Sequence, residues 1–159
     1  MIMQTGTLVA ERAPDGSFAA LMELYESNYI YLRRLVPQLD GQRDAQVSSV
    51  DRGPDLHLEV IERCPYTTTL MLTHRFPRPE GDESLPDLQV RIYHDARVAE
   101  VLRTEAEAPT PAQEMLAWRW ATNRFLMRWL LYCLGEGHGF PATDGHAVVL
   151  RPAARRWSV

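Results

Sequence analysis

The sequence predicts an α+β domain, in which an antiparallel sheet of about five strands carries an N-terminal and a C-terminal helix packed on one face. Between positions 46 and 102, several short runs alternate apolar and polar residues, as strands with one buried face do. On either side of this block, apolar residues recur at helical spacing, which indicates an amphipathic helix at each end.

The first predicted helix runs from Ser17 to Val36. Ser17 belongs to the residue types favoured at an N-cap, and Pro37 ends the helix. One face carries the apolar residues Phe18, Leu21, Met22, Tyr25, Tyr29, Leu32, Leu35 and Val36. Asn28 lies within this stripe. Because a buried amide must find partners, we expect Asn28 to bond neighbouring backbone rather than a ligand.

Five runs with strand character follow the first helix: QVSSVD, LHLEVIER, YTTTLMLTHRF, LQVRIYH and RVAEVL. The stretch PRPEGDESLPD, rich in proline and charge, predicts a polar, mobile loop between the third and fourth strands. Alternation in the second run places His57 and Glu59 on the face opposite its leucines. In the third run, His74 falls on the apolar face.

The second predicted helix begins at a capping box, Thr110-Pro111-Ala112-Gln113, and ends near Gly135 and Gly137. Rows of arginine divide its apolar residues into two arcs. The broad arc holds Met115, Trp118, Phe125, Leu126, Trp129, Tyr132 and Cys133, and we expect it to face the sheet.

The narrower arc forms a stripe of Trp120, Met127 and Leu131, bordered by Arg124. Such residue types are enriched at interfaces. The first helix has one apolar face, about wide enough to cover the sheet alone. We therefore expect another cover for this stripe, either a second copy of the chain in a homodimer or the C-terminal tail.

The predicted organisation is an N-terminal tail at 1–16, one α+β domain at 17–139 and a C-terminal tail at 140–159, with a short strand from His146 to Leu150. The N-terminus lacks the long apolar core of a signal peptide, and no apolar run is long enough to span a membrane. We expect a cytoplasmic protein with no membrane partner.

Composition excludes several kinds of function. The formal net charge is −4, which argues against a nucleic-acid binder with a basic face. Every basic residue is arginine, so no lysine can form a Schiff base or reach a phosphate from a P-loop. The two cysteines, Cys64 and Cys133, form no CxxC pair, and no HExxH motif is present. We therefore predict no metal site and no cofactor.

The candidate site centres on the stretch VRIYHDARVAEV, in which His94 and Asp95 follow a predicted strand. Asp is a common turn residue, and His94 can hydrogen-bond across a hairpin, so we favour a hairpin corner. The alternative is a histidine oriented by a carboxylate, which could hold an anionic ligand or act as general acid–base. The candidate ligand-binding residues are His94, Asp95, Arg91, Tyr93, His57 and Glu59.

Four segments, LYESNYIYLRRLVP, PYTTTLMLTH, VRIYHDARVAEV and NRFLMRWLLYCLGEG, resemble the YqiB-like family, a proteobacterial domain of unknown function. The resemblance covers roughly residues 18–139. It implies no established activity. The genes of this family often lie near a nucleoside-diphosphate-sugar hydrolase and a cyclic-nucleotide phosphodiesterase, which implies a nucleotide-related role.

We predict a non-catalytic binding or regulatory module for a protein partner or a small anionic ligand. The alternative is a small enzyme of unknown reaction, acting through His94, Asp95, Arg91 and Tyr93 on a nucleotide-like substrate. Convergence of these side chains in one concave cleft would favour the enzyme, whereas a flat, solvated sheet face would favour the binding module.

Overall fold

The computed structural model describes residues 13–39, 41, 44–102 and 111–141. Its elements, in chain order, are α1 (Phe18–Leu35), β1 (Ala45–Ser48), β2 (Asp55–Arg63), β3 (Thr67–Phe76), β4 (Glu83–Tyr93), β5 (Val98–Val101) and α2 (Ala112–Gly135). The five strands form an antiparallel sheet in the order β1-β2-β3-β4-β5, so each strand pairs with its neighbours along the chain. The predicted α+β class is confirmed.

Helix α1 begins where the sequence predicts. The Ser17 hydroxyl accepts a hydrogen bond from the Ala20 backbone N–H at 3.1 Å, which satisfies one of the free donors of the first turn. At the other end, Val36 caps the helix and its N–H bonds the Leu32 carbonyl. Pro37 follows directly and cannot continue the ladder.

Strand β4 begins at Glu83, earlier than the sequence predicts, so the predicted loop PRPEGDESLPD is too long. Phe76 pairs with Glu83 and Arg75 with Ser84, which leaves residues 77–82 as the connection. The register shifts between Thr73 and Arg75. This irregularity lies opposite Pro86, which has no N–H to give to a ladder, and so the hairpin continues past a proline.

Helix α2 begins at Ala112, with Pro111 at its N-cap and no side-chain hydrogen bond on that cap. Thr110, the predicted N-cap, lies outside the described residues. The helix ends at Gly135, and Gly137 adopts a φ of +93°, a conformation that favours glycine. The His138 N–H donates to the Cys133 carbonyl, which closes the turn that follows the helix.

Both helices pack on the same face of the sheet, as predicted. A single cluster of buried apolar residues joins α1, all strands from β2 to β5, and α2. Phe140, placed at the start of the predicted tail, also belongs to this cluster, and its N–H donates to the Leu35 carbonyl at 2.8 Å. The predicted strand from His146 to Leu150 lies outside the described residues.

A second, smaller cluster corrects the expectation that α1 would leave the α2 stripe uncovered. Leu21, Leu24 and Tyr25 of α1 are buried, and Trp120 and Met127 of α2 pack against them. The apolar face of α1 is therefore wide enough to contact both the sheet and α2. In the same stripe, Leu131 remains 43% exposed and Arg124 is exposed. The homodimer stays a prediction, but it is not needed to bury Trp120 and Met127.

An asparagine pair connects the two helices to the edge of the sheet. The Asn123 side-chain oxygen accepts the backbone N–H of Val101 in β5 at 2.9 Å, and the Asn123 amide donates to the Arg119 carbonyl at 2.8 Å. The side-chain N–H of Asn28 donates to the backbone carbonyl of Asn123 at 3.2 Å. Asn28 thus bonds backbone, as predicted, and the two asparagines link α1, α2 and β5.

Replacement of Asn123 tests this link. We expect Asn123→Ala to lower the free energy of unfolding by about 2 kcal/mol, because the buried Val101 N–H loses its acceptor. Alanine has the higher helix propensity, so a loss cannot come from the helix itself. The control is Thr122→Ala, which removes a hydroxyl bonded only to carbonyls of its own helix. Urea denaturation should separate the two variants, and equal losses would contradict the link.

Candidate ligand-binding cleft

The candidate stretch forms the hairpin turn between β4 and β5. Residues 94–97 make the turn, and the Arg97 N–H donates to the Tyr93 carbonyl at 2.9 Å. Arg97 has a φ of +56°, in the left-handed region that residues other than glycine seldom adopt. The turn thus holds a strained backbone position that carries a charged side chain.

His94 fixes this turn to its neighbour. Its Nε2 lies 2.8 Å from the Thr68 hydroxyl, and its backbone N–H donates to the Tyr66 carbonyl at 2.9 Å. The β4–β5 turn is therefore tied to the β2–β3 turn beside it. Asp95 is exposed. These contacts place His94 in the structural role of a hairpin corner.

Arg91 and Tyr93 lie on the face of the sheet opposite to the core residues Val90 and Ile92 of the same strand. The Arg91 Nε donates to the Thr69 hydroxyl at 3.2 Å, and the Tyr93 hydroxyl donates to Glu100 at 2.7 Å. Arg119 of α2 pairs with the second oxygen of Glu100 at 3.1 Å. Burial raises the pKa of Tyr93, and so does its bond to Glu100. The phenol thus stays protonated as a donor.

His57 and Glu59 lie farther away, on β2. His57 is paired across the sheet with Thr73, whose hydroxyl donates to Asp87 at 2.6 Å. Burial, and next the charge of Arg75, lower the pKa of His57 to about 4. His57 is therefore neutral at pH 7, and Glu59 is exposed.

The six candidate residues therefore do not meet in one cleft. Arg91 pairs with Thr69, four residues along β3 from the partner of His57, which corresponds to about 13 Å. His94 bonds Thr68, which by strand alternation lies on the same face of β3 as the core residues Leu70 and Leu72. The outer face of the sheet carries several of these side chains, but they lie too far apart to bind one small ligand together.

A concave site lies instead between the outer side of α1 and the β4–β5 turn. Its volume is about 590 Å³, within the range of small-molecule sites. Its lining residues are Glu26, Tyr29, Ile30, Arg33, Arg34, Ala96 and Arg97. We call this site the basic cleft.

The three arginines of the basic cleft differ in the contacts that their side chains make. Arg33 donates to the Tyr29 hydroxyl at 3.1 Å, and the Arg34 guanidinium lies 5.6 Å from the centre of the Tyr31 ring. Arg97 is exposed at the turn. Within the part of the chain that the structure describes, no carboxylate forms an ion pair with any of the three.

Analysis of the sequence missed Arg33, Arg34, Arg97 and Ile30. A signal for the helical ones exists, since Glu26, Ile30, Arg33 and Arg34 recur at helical spacing on the polar side of α1. An exposed isoleucine between a glutamate and two arginines on a polar helix face is such a signal. The approach of residues 96 and 97 to this face is a tertiary contact that spacing does not reveal.

The candidate interface residues line a second, smaller cavity. Trp120, Met127 and Arg124 of α2 face Glu23 of α1 and Asp15 across a volume of about 270 Å³. Leu131 is not among the residues that line it. The stripe therefore has one part packed on α1 and one part exposed.

A buried polar cluster lies between the sheet and α2. His74 accepts a hydrogen bond from the Trp129 indole N–H at 2.9 Å, so its other nitrogen, 3.8 Å from the Cys133 sulfur, carries the proton. The ring centre of His138 lies 5.3 Å from that of His74, with the two rings tilted by 47°, and His138 bonds the Ser48 hydroxyl at 3.0 Å.

Burial keeps this cluster uncharged. It raises the pKa of the Cys133 thiol to about 12 and lowers that of His74 to about 4. A protonated thiol beside a neutral imidazole is a packing arrangement and not an activated nucleophile. Within the described residues, no group of three or more His, Cys, Asp or Glu side chains is placed to hold a metal ion.

Comparisons with known proteins place the chain in a family. A family model described as "Protein of unknown function (DUF1249)" matches residues 31–139, more than half of the sequence. The chain belongs to this family. It is 33% identical over 132 residues to the uncharacterized protein YqiB of Escherichia coli strain K12, across 78% of this chain and 91% of the relative. YqiB of the O6:H1 and O157:H7 strains matches equally well.

The match confirms the resemblance noted from the sequence, and the matched range includes the three arginines of the basic cleft. No solved structure matches the chain. Among the described helices, none has the length and apolar character to cross a membrane. The family description names no activity.

The hairpin corner gives a paired mutational test. We expect His94→Ala to lower the free energy of unfolding by about 1 kcal/mol, because the Thr68 hydroxyl loses its partner. Asp95→Ala, at an exposed position one residue away, should change it by less than about 0.5 kcal/mol. Chemical denaturation of both variants measures the difference. A larger loss for Asp95→Ala would show that the corner depends on the carboxylate.

Acidification should destabilise the fold through the buried histidines. The pKa of His74 is about 4 in the folded chain and about 6.5 when unfolded, so below pH 6.5 the unfolded chain binds the extra proton. The free energy of unfolding should fall by up to roughly 3 kcal/mol between pH 6.5 and pH 4 from this residue. Burial lowers the pKa of His138 in the same direction, while Asp55 and Glu136 oppose that shift.

His74→Gln provides the matched comparison, because glutamine can accept from Trp129 and donate to Cys133 without titrating. Its free energy of unfolding should fall less steeply than that of the wild type over the same pH range. Parallel curves from urea denaturation at several pH values would contradict the assignment.

Proposed function

We propose that the domain is a non-catalytic binding module that holds a small anionic ligand in the basic cleft. The observation that carries this proposal is the presence of three arginines, free of ion pairs with described carboxylates, around a partly exposed apolar floor. Guanidinium groups bind carboxylates and phosphates through paired hydrogen bonds, and they are less hydrated than ammonium groups.

The charge of the cleft supports the proposal. Three arginines and one glutamate give its lining a formal charge of +2, on a chain whose net charge is −4. A local positive field on an acidic protein attracts small anions to one place on the surface.

The backbone of Arg97 supports it as well. Holding a side chain other than glycine in the left-handed region costs about 1–2 kcal/mol. Strain of this kind concentrates at functional sites, where the surrounding structure over-determines it. The His94 contacts to the neighbouring turn supply that structure, and the strained residue is the one that brings a charge to the cleft from the turn.

The lining favours binding over catalysis. It holds one carboxylate and one phenol, and the phenol oxygen of Tyr29 accepts from Arg33. The residues of the alternative enzyme, which are His94, Asp95, Arg91 and Tyr93, do not line this cleft. A protein partner would need about 800 Å² of surface on each side, whereas the cleft has the size of a small-molecule site. The cytoplasmic location stays a prediction from the sequence.

The test is a titration of the ¹⁵N-labelled protein with inorganic phosphate and with acetate, followed by NMR. We expect the backbone amides of residues 30–34 and 96–97 to shift with at least one of these anions. Arg33→Gln and Arg97→Gly should each weaken binding about three- to tenfold, because each removes a charged donor. The control is Arg128→Gln, since Arg128 is an exposed helical arginine on α2, outside the cleft.

Arg97→Gly also separates binding from folding. Glycine removes the left-handed strain but adds flexibility to the unfolded chain, so we expect a net gain of about 0.5 kcal/mol in the free energy of unfolding. A more stable protein that binds more weakly would support the proposal. Unchanged affinity in both arginine variants, or shifts that spread evenly over the surface, would refute it.

A further inference from the structure

We infer that the ligand of the basic cleft is bipolar, with an anionic group at one end, a hydrogen-bond-donating or cationic group at the other, and an apolar body between them. This inference rests on the proposed function and adds the chemical class of the ligand. It follows from the order in which the lining residues occur along α1.

The α1 residues that line the cleft carry opposite charges at its two ends. Glu26 lies at one end and Arg33 and Arg34 at the other, two helical turns further on. Seven residues of helix span about 10 Å. Glu26 and Arg33 are thus too far apart along the helix for the close contact that residues three or four apart make.

Glu26 favours a different ligand group from the one that the arginines favour. An ionised carboxylate accepts hydrogen bonds and donates none, whereas guanidinium groups only donate. Glu26 is exposed and forms no ion pair within the described residues. A ligand that is anionic along its whole length would meet repulsion at Glu26. A ligand that carries an N–H or O–H group at that end would meet an acceptor.

The middle of the cleft is apolar. Ile30 lies one turn from Glu26 and one turn from Arg34, and it is 49% exposed in a helix whose other large apolar residues are mostly buried. Ala96, in the β4–β5 turn, adds a second apolar side chain to the lining of the cleft. Covering this isoleucine removes apolar surface from water, which favours a ligand with an apolar body rather than a bare ion.

The arginine end is partly held before any ligand arrives. The Tyr29 hydroxyl fixes Arg33, and the ring of Tyr31 lies near the guanidinium of Arg34. Groups that are already oriented lose less side-chain entropy on binding. The anionic group of the ligand is therefore assigned to the end formed by Arg33 and Arg34, and the donor group to the end formed by Glu26.

Three probes of equal chain length test the inference: 8-aminooctanoate, octanoate and octylamine. The two ends of extended 8-aminooctanoate lie about 10 Å apart, which matches the helical spacing. NMR titration of the wild type should show octanoate binding at the arginines and Ile30. We expect 8-aminooctanoate to bind roughly threefold tighter or more, the gain typical of one exposed ion pair.

Glu26→Gln should remove this preference and leave octanoate binding unchanged or tighter. Glu23→Gln is the matched control, because Glu23 is an exposed glutamate one turn away on the same helix and lines the other cavity. In the control, the preference for 8-aminooctanoate should persist. Octylamine should bind more weakly than octanoate to all three proteins, because it lacks the anionic group.

The outcomes separate the two proposals. If octanoate binds in a manner that depends on Arg97 but 8-aminooctanoate gains nothing over it, the bipolar ligand is wrong and the anion-binding function stands. The same holds if Glu26→Gln and Glu23→Gln change the preference equally. If neither octanoate nor phosphate nor acetate binds at the cleft, the proposed function fails and the bipolar ligand fails with it.

Discussion

The fold depends on how the β5 edge of the sheet is closed. An edge strand presents unpaired N–H and C=O groups, and these are costly to bury and prone to pair with other chains. The side-chain oxygen of Asn123 satisfies one of these groups, because it accepts a hydrogen bond from the Val101 N–H. A second hydrogen bond, from the Asn28 side chain to the backbone carbonyl of Asn123, connects α1 to α2 at the same residue. The side chains of Asn123 and Asn28 together thus connect both helices to the β5 edge.

The basic cleft is a consequence of that arrangement. With α1 held beside β5, the turn that precedes β5 must pass close to the outer side of the helix. His94 then prevents this turn from swinging away, through its bonds to the adjacent turn. Arg97 therefore lines the same cleft as Arg33 and Arg34, although it lies on a different element.

Periodicity predicted much of the fold but little of the cleft. Local signals set the start of α1 at Ser17 and the alternation of β2 and β3, and both agree with the structure. The early start of β4 depends on pairing across a bulge, which no local pattern encodes. The cover on Trp120 was missed because the width of an apolar face says nothing about which elements share it. The role of Arg97 could not be predicted, because it depends on a tertiary contact between the turn and α1 and on an unusual backbone angle.

The order of strands has a consequence for how the chain emerges from the ribosome. All strand pairs form between neighbours along the chain, so the meander can assemble as it is synthesised. Helix α1 is made first and its partner α2 last, with about 75 residues between Leu35 and Ala112. At 5–20 residues per second, synthesis takes roughly 5–19 s to proceed from Tyr25 to Trp120, so Leu21, Leu24 and Tyr25 exist for that time without Trp120 and Met127. During that interval the nascent chain exposes an apolar surface that a chaperone could shield.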